Sequence, residues 1–368
     1  MKKRYFLTMA LIVLALVFFS ITTIINAEDT GIKINKSNFP NKRILNDVKQ
    51  ADKNGDGILQ DKENRELKHV GIASSYKIID LKGVSLLKYV ESFYLVVDKE
   101  DTQEVKNFDE IYRLKKLKNL QVSCIKLKIK SLDVSKFPSL EYLLIGRLNQ
   151  LENITFGNNK KLKEIEIRFS KSLKKLDFSK LTNLRKLRID DVPVEYIKFG
   201  KNNKTIRRLS IFTSYTANTH FSKLDLSKLK KLKKLQLEDC NKITSLDLSK
   251  NPNLEEILLQ TASKIQKLDF THNKNLKNIG LFRTGIRDIV IPKDNCLEKI
   301  MINENKYITK FDTEILKADL ITDLYFNKTP LKELDASKFY NLERISTSKK
   351  TKVIYPTDGH DYRIVNPK

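Results

Sequence analysis

Histidine is scarce in this 368-residue chain. There are four, His69, His220, His272 and His360, and none stands beside a nucleophile in a recognisable motif. There is no G-x-S-x-G, no H-E-x-x-H, no phosphate-binding loop and no paired-cysteine zinc motif. His272 occupies a repeat turn where another copy carries Lys, which marks it as a surface turn residue. These absences leave an enzymatic function without support. Cysteine is equally sparse: Cys124, Cys240 and Cys296 allow one bridge at most, form no disulfide framework, and are expected to stay unpaired. Acidic residues are outnumbered, 45 Asp and Glu against 70 Lys and Arg, a net charge of +25. Such an excess attracts polyanions over distance.

What the chain has in abundance is a repeat. Residues Leu232 to Ile243 read LKKLQLEDCNKI, and the spacing L-x-x-L-x-L-x-x-C-x-x-I recurs along most of the sequence. The strand segments start at Leu117, Leu140, Leu162, Leu184, Ile206, Leu232, Leu254, Leu276, Leu297 and Ile321, with a weaker copy at Leu342. Their separation is about 22 residues, the period of a leucine-rich repeat. The step from Ile206 to Leu232 is longer, with an insert at Thr213 to His220. One repeat cannot bury its own leucines, so the units must stack. The size would allow two ordinary domains. The repeats argue instead for one elongated body with a small cap.

A second signature marks the other half of each unit: LDVSKFPSL from Leu132, LDFSKLTNL from Leu176, LDLSKLKKL from Leu224, LDLSKNPNL from Leu246 and LDASKFYNL from Leu334. Together these patterns resemble the secreted, internalin-like leucine-rich-repeat proteins of Gram-positive bacteria, over roughly residues 79–347. The fold expected is an α/β solenoid with a parallel concave β-sheet, short irregular or strand-like convex segments and a small helical N-terminal cap. The resemblance implies recognition of a cell-surface ligand, protein or glycan, by the concave face. The recurrent Asp133, Asp177, Asp225, Asp247, Asp269 and Asp335 are expected to cap convex turns rather than to form a metal ladder. Cys240, Thr284, Asn305 and Thr329 follow their strands as small residues able to bond the turned backbone.

Residues Asp52 to Glu63 read DKNGDGILQDKE, which fits the calcium-loop template D-x-[DN]-x-[DN]-G-x5-E and resembles an EF-hand. Hard Ca2+ takes oxygen ligands. Asp52, Asn54 and Asp56 offer side-chain oxygens, Ile58 its carbonyl, Gln60 a direct or water-borne contact, and Glu63 two closing oxygens. Helices are expected over Lys42 to Ala51 and Lys62 to Val70, with Leu59 turned inward between them. No second hand is present in the sequence, and a lone extracellular hand suits a structural clip better than a sensor. The expected divisions are a signal peptide at 1–27, a linker at 28–40, the cap at 41–77, the solenoid at 78–348 and a C-terminal tail at 349–368.

Lys2, Lys3 and Arg4 precede an apolar run from Tyr5 to Ile25 that ends at Ala27, which reads as a secretory signal cut after Ala27. The alternative is an uncleaved anchor, since the run is long enough to span a membrane; only then is membrane association expected. A secreted, loosely wall-held monomer is the expectation. Nucleic acid is not an expected partner, whereas a protein, an anionic glycan or a wall polymer is.

In each L-x-x-L-x-L strand the third, fifth and seventh positions should face the concave surface. Two patches emerge there. One is basic, with Lys186, Arg188, Arg208 and Lys234 and with Phe212 beside them; the other is apolar to aromatic, with Leu258, Phe282, Met301 and Tyr325. Apolar clusters and aromatics beside Arg are favoured at interfaces. Two functional readings follow: a specific interaction protein, or a cell-envelope structural protein retained on anionic wall polymers by charge alone.

Overall fold

The computed structural model describes residues 31–73, 77–97, 102, 104–213, 222–357 and 363–364. The signal peptide expected at residues 1–27 lies outside the described residues, as does nearly all of the insert from Thr213 to His220. No helix among the described residues is long and apolar enough to cross a membrane.

Alternation of apolar and polar positions makes each L-x-x-L-x-L segment a strand with one buried face. These strands form a 14-stranded parallel sheet in chain order, each bonded to the strand of the next repeat. It runs from His69–Ile72 and Ser92–Val97 through Asn119–Cys124, Tyr142–Gly146, Glu164–Arg168, Lys186–Asp190, Arg208–Phe212, Lys234–Glu238, Glu256–Gln260, Asn278–Phe282, Lys299–Asn303, Asp323–Phe326 and Arg344–Thr347 to Arg363–Ile364. The register never slips: Leu143, Ile165, Leu187, Leu209, Leu235, Ile257, Ile279, Ile300, Leu324 and Ile345 stand opposite one another in turn. A one-residue slip would turn these side chains out of the core, so burial itself holds the register. The longer step after Ile206 is absorbed outside the sheet, because Arg208–Phe212 pairs directly with Lys234–Glu238.

The opposite, convex layer is built from three-residue strands that pair in twos, such as Ser131–Asp133 with Asn153–Thr155 and Lys267–Asp269 with Asp288–Val290. The recurrent aspartates make the expected turns. Asp177, Asp225, Asp247, Asp269 and Asp335 each accept the backbone N–H two residues on, at 2.8 to 2.9 Å. Beneath them, Phe137, Phe178, Phe270 and Phe339 are fully buried. Burying such a ring contributes about 1.5–3 kcal/mol.

A second convex device was not read from the sequence. Asn159, Asn203, Asn251 and Asn273 are buried, and each amide donates to two backbone carbonyls of the preceding repeat. Asn203, for example, bonds the carbonyls of Phe178 and Leu181 at 2.9 and 2.8 Å. The ladder after the concave strands behaves as expected. Thr284 bonds Asn305, whose amide donates to the carbonyls of Leu281 and Asn303, and Thr329 donates to the carbonyl of Phe326. Cys124, Cys240 and Cys296 are unbridged, the first two buried.

At the N-terminus, helix Lys42–Ala51 occupies its expected residues, capped by Asn41, whose side chain accepts from the Arg43 and Ile44 amides. Ile44, Leu45, Val48 and Ala51 are buried, and Leu59 is 1% exposed. The second helix differs from expectation. It is one turn, Asp61–Asn64, and the chain from His69 to Ile72 enters the parallel sheet. The reason is pairing: Val70 and Ile72 alternate with Gly71 and stand opposite Phe93 and Leu95, whereas Gly71 disfavours a helix. The sheet therefore begins within the segment expected to belong to the cap, ahead of Ile78, and its last strand, Arg363–Ile364, lies within the expected tail.

Candidate functional site

In the cap loop, hydrogen bonds wind the acidic side chains onto the backbone. Asp52 accepts the N–H groups of Gly55 and Gly57 at 2.8 and 3.0 Å, and Asp56 accepts that of Ile58 at 2.8 Å. Gly57 has φ +76°, the left-handed geometry that the sharp turn demands and glycine tolerates. Glu63, 7% exposed, accepts the Lys53 and Gln60 amides at 2.8 and 3.1 Å. Asp56 also accepts the side-chain amides of Asn54 and Gln60, both at 2.9 Å. The donor set is all oxygen, as a hard cation requires; the Asp52 and Glu63 oxygens each accept one of these bonds and keep acceptor capacity, whereas one Asp56 oxygen accepts from both Asn54 and Gln60. Among the described residues no three His, Cys, Asp or Glu side chains are gathered on one point. Ile58–Leu59 pairs antiparallel with Ile32–Lys33, a strand from the stretch expected to be linker.

The cap is tied to the solenoid by polar contacts. The Tyr89 hydroxyl donates to Asp61 at 2.8 Å, and the Asn64 amide donates to the Leu86 carbonyl at 3.0 Å. Bonds from Tyr89 and then Arg65 hold the Asp61 carboxyl below the usual range.

On the concave sheet, Glu164, Lys186, Arg208, Lys234 and Glu256 stand in one cross-strand row. The lysines turn outward: Lys186 pairs with Glu164 at 3.0 Å and Lys234 pairs with Glu256. Arg188 pairs with Asp190 at 2.9 Å and lies over the Phe212 ring at 4.2 Å, a cation–π contact. The expected basic patch is thus largely ion-paired, for a simple reason. A strand's neighbours supply carboxylates that a reading along the chain does not bring alongside. Arg208 alone of the four cations has no ion-pair partner among the described residues. A depression of about 320 Å³ lies here, its lining including Arg168, Arg188, Arg208, Ser210 and Gln236. Ser210, small and 7% exposed, provides its floor.

The second patch is assembled as a row. Leu258, Gly280, Met301 and Tyr325 stand opposite one another on successive strands, with Phe282 two residues along from Gly280. All four expected members are half-buried. Gly280 leaves the space that the Leu258 side chain fills, since an added Cβ would lie 2.6 Å from its Cδ1.

Beside that patch lies Asp323, which was not singled out in the sequence. It is 1% exposed, bonded to Lys299 at 3.1 Å and to Arg344. Burial works to raise its pKa, but the bonds from Arg344, Thr322 and Lys299 prevail and hold it below the ordinary value. The Tyr325 phenol, partly desolvated and beside Asp323, is pushed up. Arg185 and Arg207, one residue ahead of Lys186 and Arg208, were also missed; the dibasic runs LRKL and IRRL carried the signal.

Comparison with solved structures places the fold. The chain is similar to the functional domain of InlJ from Listeria monocytogenes, which includes a cysteine ladder, at 21% identity and TM-score 0.52 over 88% of this chain and 76% of that one. It is similar to an internalin, inlF, from Listeria monocytogenes at 13% identity and TM-score 0.50, over 91% of this chain and all of that one. TLR13 in its complex with ssRNA13 matches at 17% identity and TM-score 0.53, over 79% of this chain and 44% of that one. No family model and no curated relative matches the sequence. The molecule is a leucine-rich-repeat solenoid of internalin-like fold.

Proposed function

We propose that this is a secreted, calcium-stabilised interaction protein that binds a cell-surface protein through its concave sheet. The observation that carries the reading is the concave face itself, where half-buried Leu258, Met301 and Tyr325 share one row and Arg208 stands without a carboxylate partner among the described residues. Half-desolvated aromatic and aliphatic side chains near an Arg are the composition of interface anchors. The internalin and TLR13 neighbours agree with a binding role, at the level of fold.

Asp52, Asn54, Asp56, Gln60, Glu63 and the Ile58 carbonyl would hold Ca2+. The ion would supply charge neutralisation within the loop, and this chain's own residues, Asp61 to Tyr89 and Asn64 to Leu86, would pass the loop's rigidity to the first repeats. At a dissociation constant of about 10⁻⁴ M and about 1 mM calcium, the gain is about 1.4 kcal/mol. Calcium should raise the melting temperature of the wild type, and Glu63→Gln should remove that rise.

The binding reading is tested on intact cells. Fluorescent wild-type protein should bind, Tyr325→Ala should lose binding, and Lys349→Gln with Lys350→Gln should not. The rival, retention on anionic wall polymers by charge alone, is favoured by the net charge of +25. It predicts the reverse ranking and collapse of binding in salt.

A further inference from the structure

Three consecutive strands enter the concave sheet through dibasic pairs: Arg185-Lys186, Arg207-Arg208 and Lys233-Lys234. Their register makes two parallel rows. One reads Glu164, Lys186, Arg208, Lys234, Glu256. The other, one residue earlier, reads Glu141, Lys163, Arg185, Arg207, Lys233, Glu255, held in step by backbone bonds between successive repeats. In both rows the outer lysines are taken by the bounding glutamates. Lys163 pairs with Glu141 at 2.6 Å, and Lys233 pairs with Glu255. Lys186 and Lys234 pair with Glu164 and Glu256. The arginines in the middle, Arg185, Arg207 and Arg208, have no ion-pair partner among the described residues.

Like charges set directly opposite on neighbouring strands disfavour the sheet. Three such strands in succession, with carboxylates available immediately outside, are a local conflict that folding does not need. An anion from outside the chain would relieve the conflict. The guanidinium fork suits a planar carboxylate in particular.

The shape of the charge limits the anion. Three strands span only about 10 Å. Beyond them lie Glu164 and Glu166 on one side and Glu256 on the other, while Asp190 and Glu238 close the far end of the strands. A long polyanion laid along or across the sheet meets carboxylates in each direction. A short acidic tip entering from the Arg185 and Arg207 edge meets the arginines first, ahead of the hollow over Ser210, whose lining includes Glu164, Glu166 and Glu256.

We infer that Arg185, Arg207 and Arg208 form a bounded anion window that receives acidic side chains of a protein ligand. This rests on the concave-face reading above and specifies one chemical group of the partner.

The test uses the full chain and two probes of matched charge: a fluorescent peptide bearing four consecutive glutamates, and a short poly(glycerol phosphate). The expected result is saturable peptide binding that Arg207→Gln with Arg208→Gln weakens by about tenfold or more, a loss typical of charge-assisted contacts. Lys349→Gln with Lys350→Gln removes the same charge elsewhere and should leave binding within about twofold, as screened distant charges do. The arginine variant should melt no lower than the wild type, because it removes like-charge repulsion, and the lysine variant should match the wild type. Equal losses in the two double variants, no loss in the arginine variant, no peptide binding at millimolar concentration, or tighter binding of the phosphate polymer would each overturn the window. The two readings fail separately. If the arginine variant leaves peptide binding intact while Tyr325→Ala still loses cells, the window falls and the concave site stands. If Tyr325→Ala keeps its cells while the window behaves as expected, the reverse holds.

Discussion

Carboxylates line both faces of this solenoid, and most turn aspartates of the convex face are held differently from the row carboxylates of the concave one, although Asp177 also pairs with Lys198 of the next repeat. On the convex side Asp225, Asp247, Asp269 and Asp335 bond backbone amides and hydroxyls two residues on, so each turn satisfies its own acid. On the concave side Glu164, Glu256 and Asp323 reach sideways to cations of neighbouring repeats. Local bonds repeat identically and tolerate change in the next unit. Lateral pairs depend on which residue stands opposite, so they can be left open at chosen places. The convex face thus maintains the stack, and the concave face has room for specificity.

The sharpest way to break this contrast is Asn203→Ala on the convex side. It removes the amide that donates to the buried carbonyls of Phe178 and Leu181, the first of which keeps only the Leu181 N–H, and it removes the acceptor of the Gly200 N–H. A loss of about 2–4 kcal/mol is expected by denaturant melting, at about 1–2 kcal/mol for each bond. Unchanged stability would mean that the asparagine ladder is dispensable.

Next comes Asp323→Asn on the concave side. Losing a buried charge that bonds Lys299 and Arg344 should cost about 2 kcal/mol. The folded pKa of Asp323 is lowered, so its contribution is present above the ordinary carboxylate value of 3.8 and fades as pH falls through the lower folded value. The wild type should therefore lose stability below about pH 4, and Asp323→Asn should flatten that acid limb. An unaltered limb would exclude Asp323 as its source.

Asp225→Ala should have the smallest effect, below about 1 kcal/mol, since the turn bonds it removes, from the Ser227 amide and hydroxyl, are open to water. A larger loss would show that the convex turns act collectively rather than one at a time.

Much of the architecture was legible in the chain because period and burial are the same information. Leu235 and Leu237 point inward for the reason that Leu209 and Ile211 do, and the Asp-x-Ser turns are local enough to be read from three residues. The first strand was misjudged because Val70 and Ile72 acquire their identity only from Phe93 and Leu95, a repeat away. The strand that pairs with the cap loop, Ile32–Lys33, carries no local signal at all. Within the candidate site, membership of the rows followed from spacing, but the charge state of each row did not.

By itself, then, the sequence determined the repeat, its inward faces, the convex turns and the oxygen-rich cap loop, since each depends on residues close together in the chain. Only the tertiary structure decided which cations are spent and which remain. Lys186 and Lys234 find Glu164 and Glu256 one strand away, whereas Arg208 finds a lysine on either side. Coulomb interaction acts through space over a few ångströms, and the stacking of repeats about 22 residues apart is what creates those neighbours.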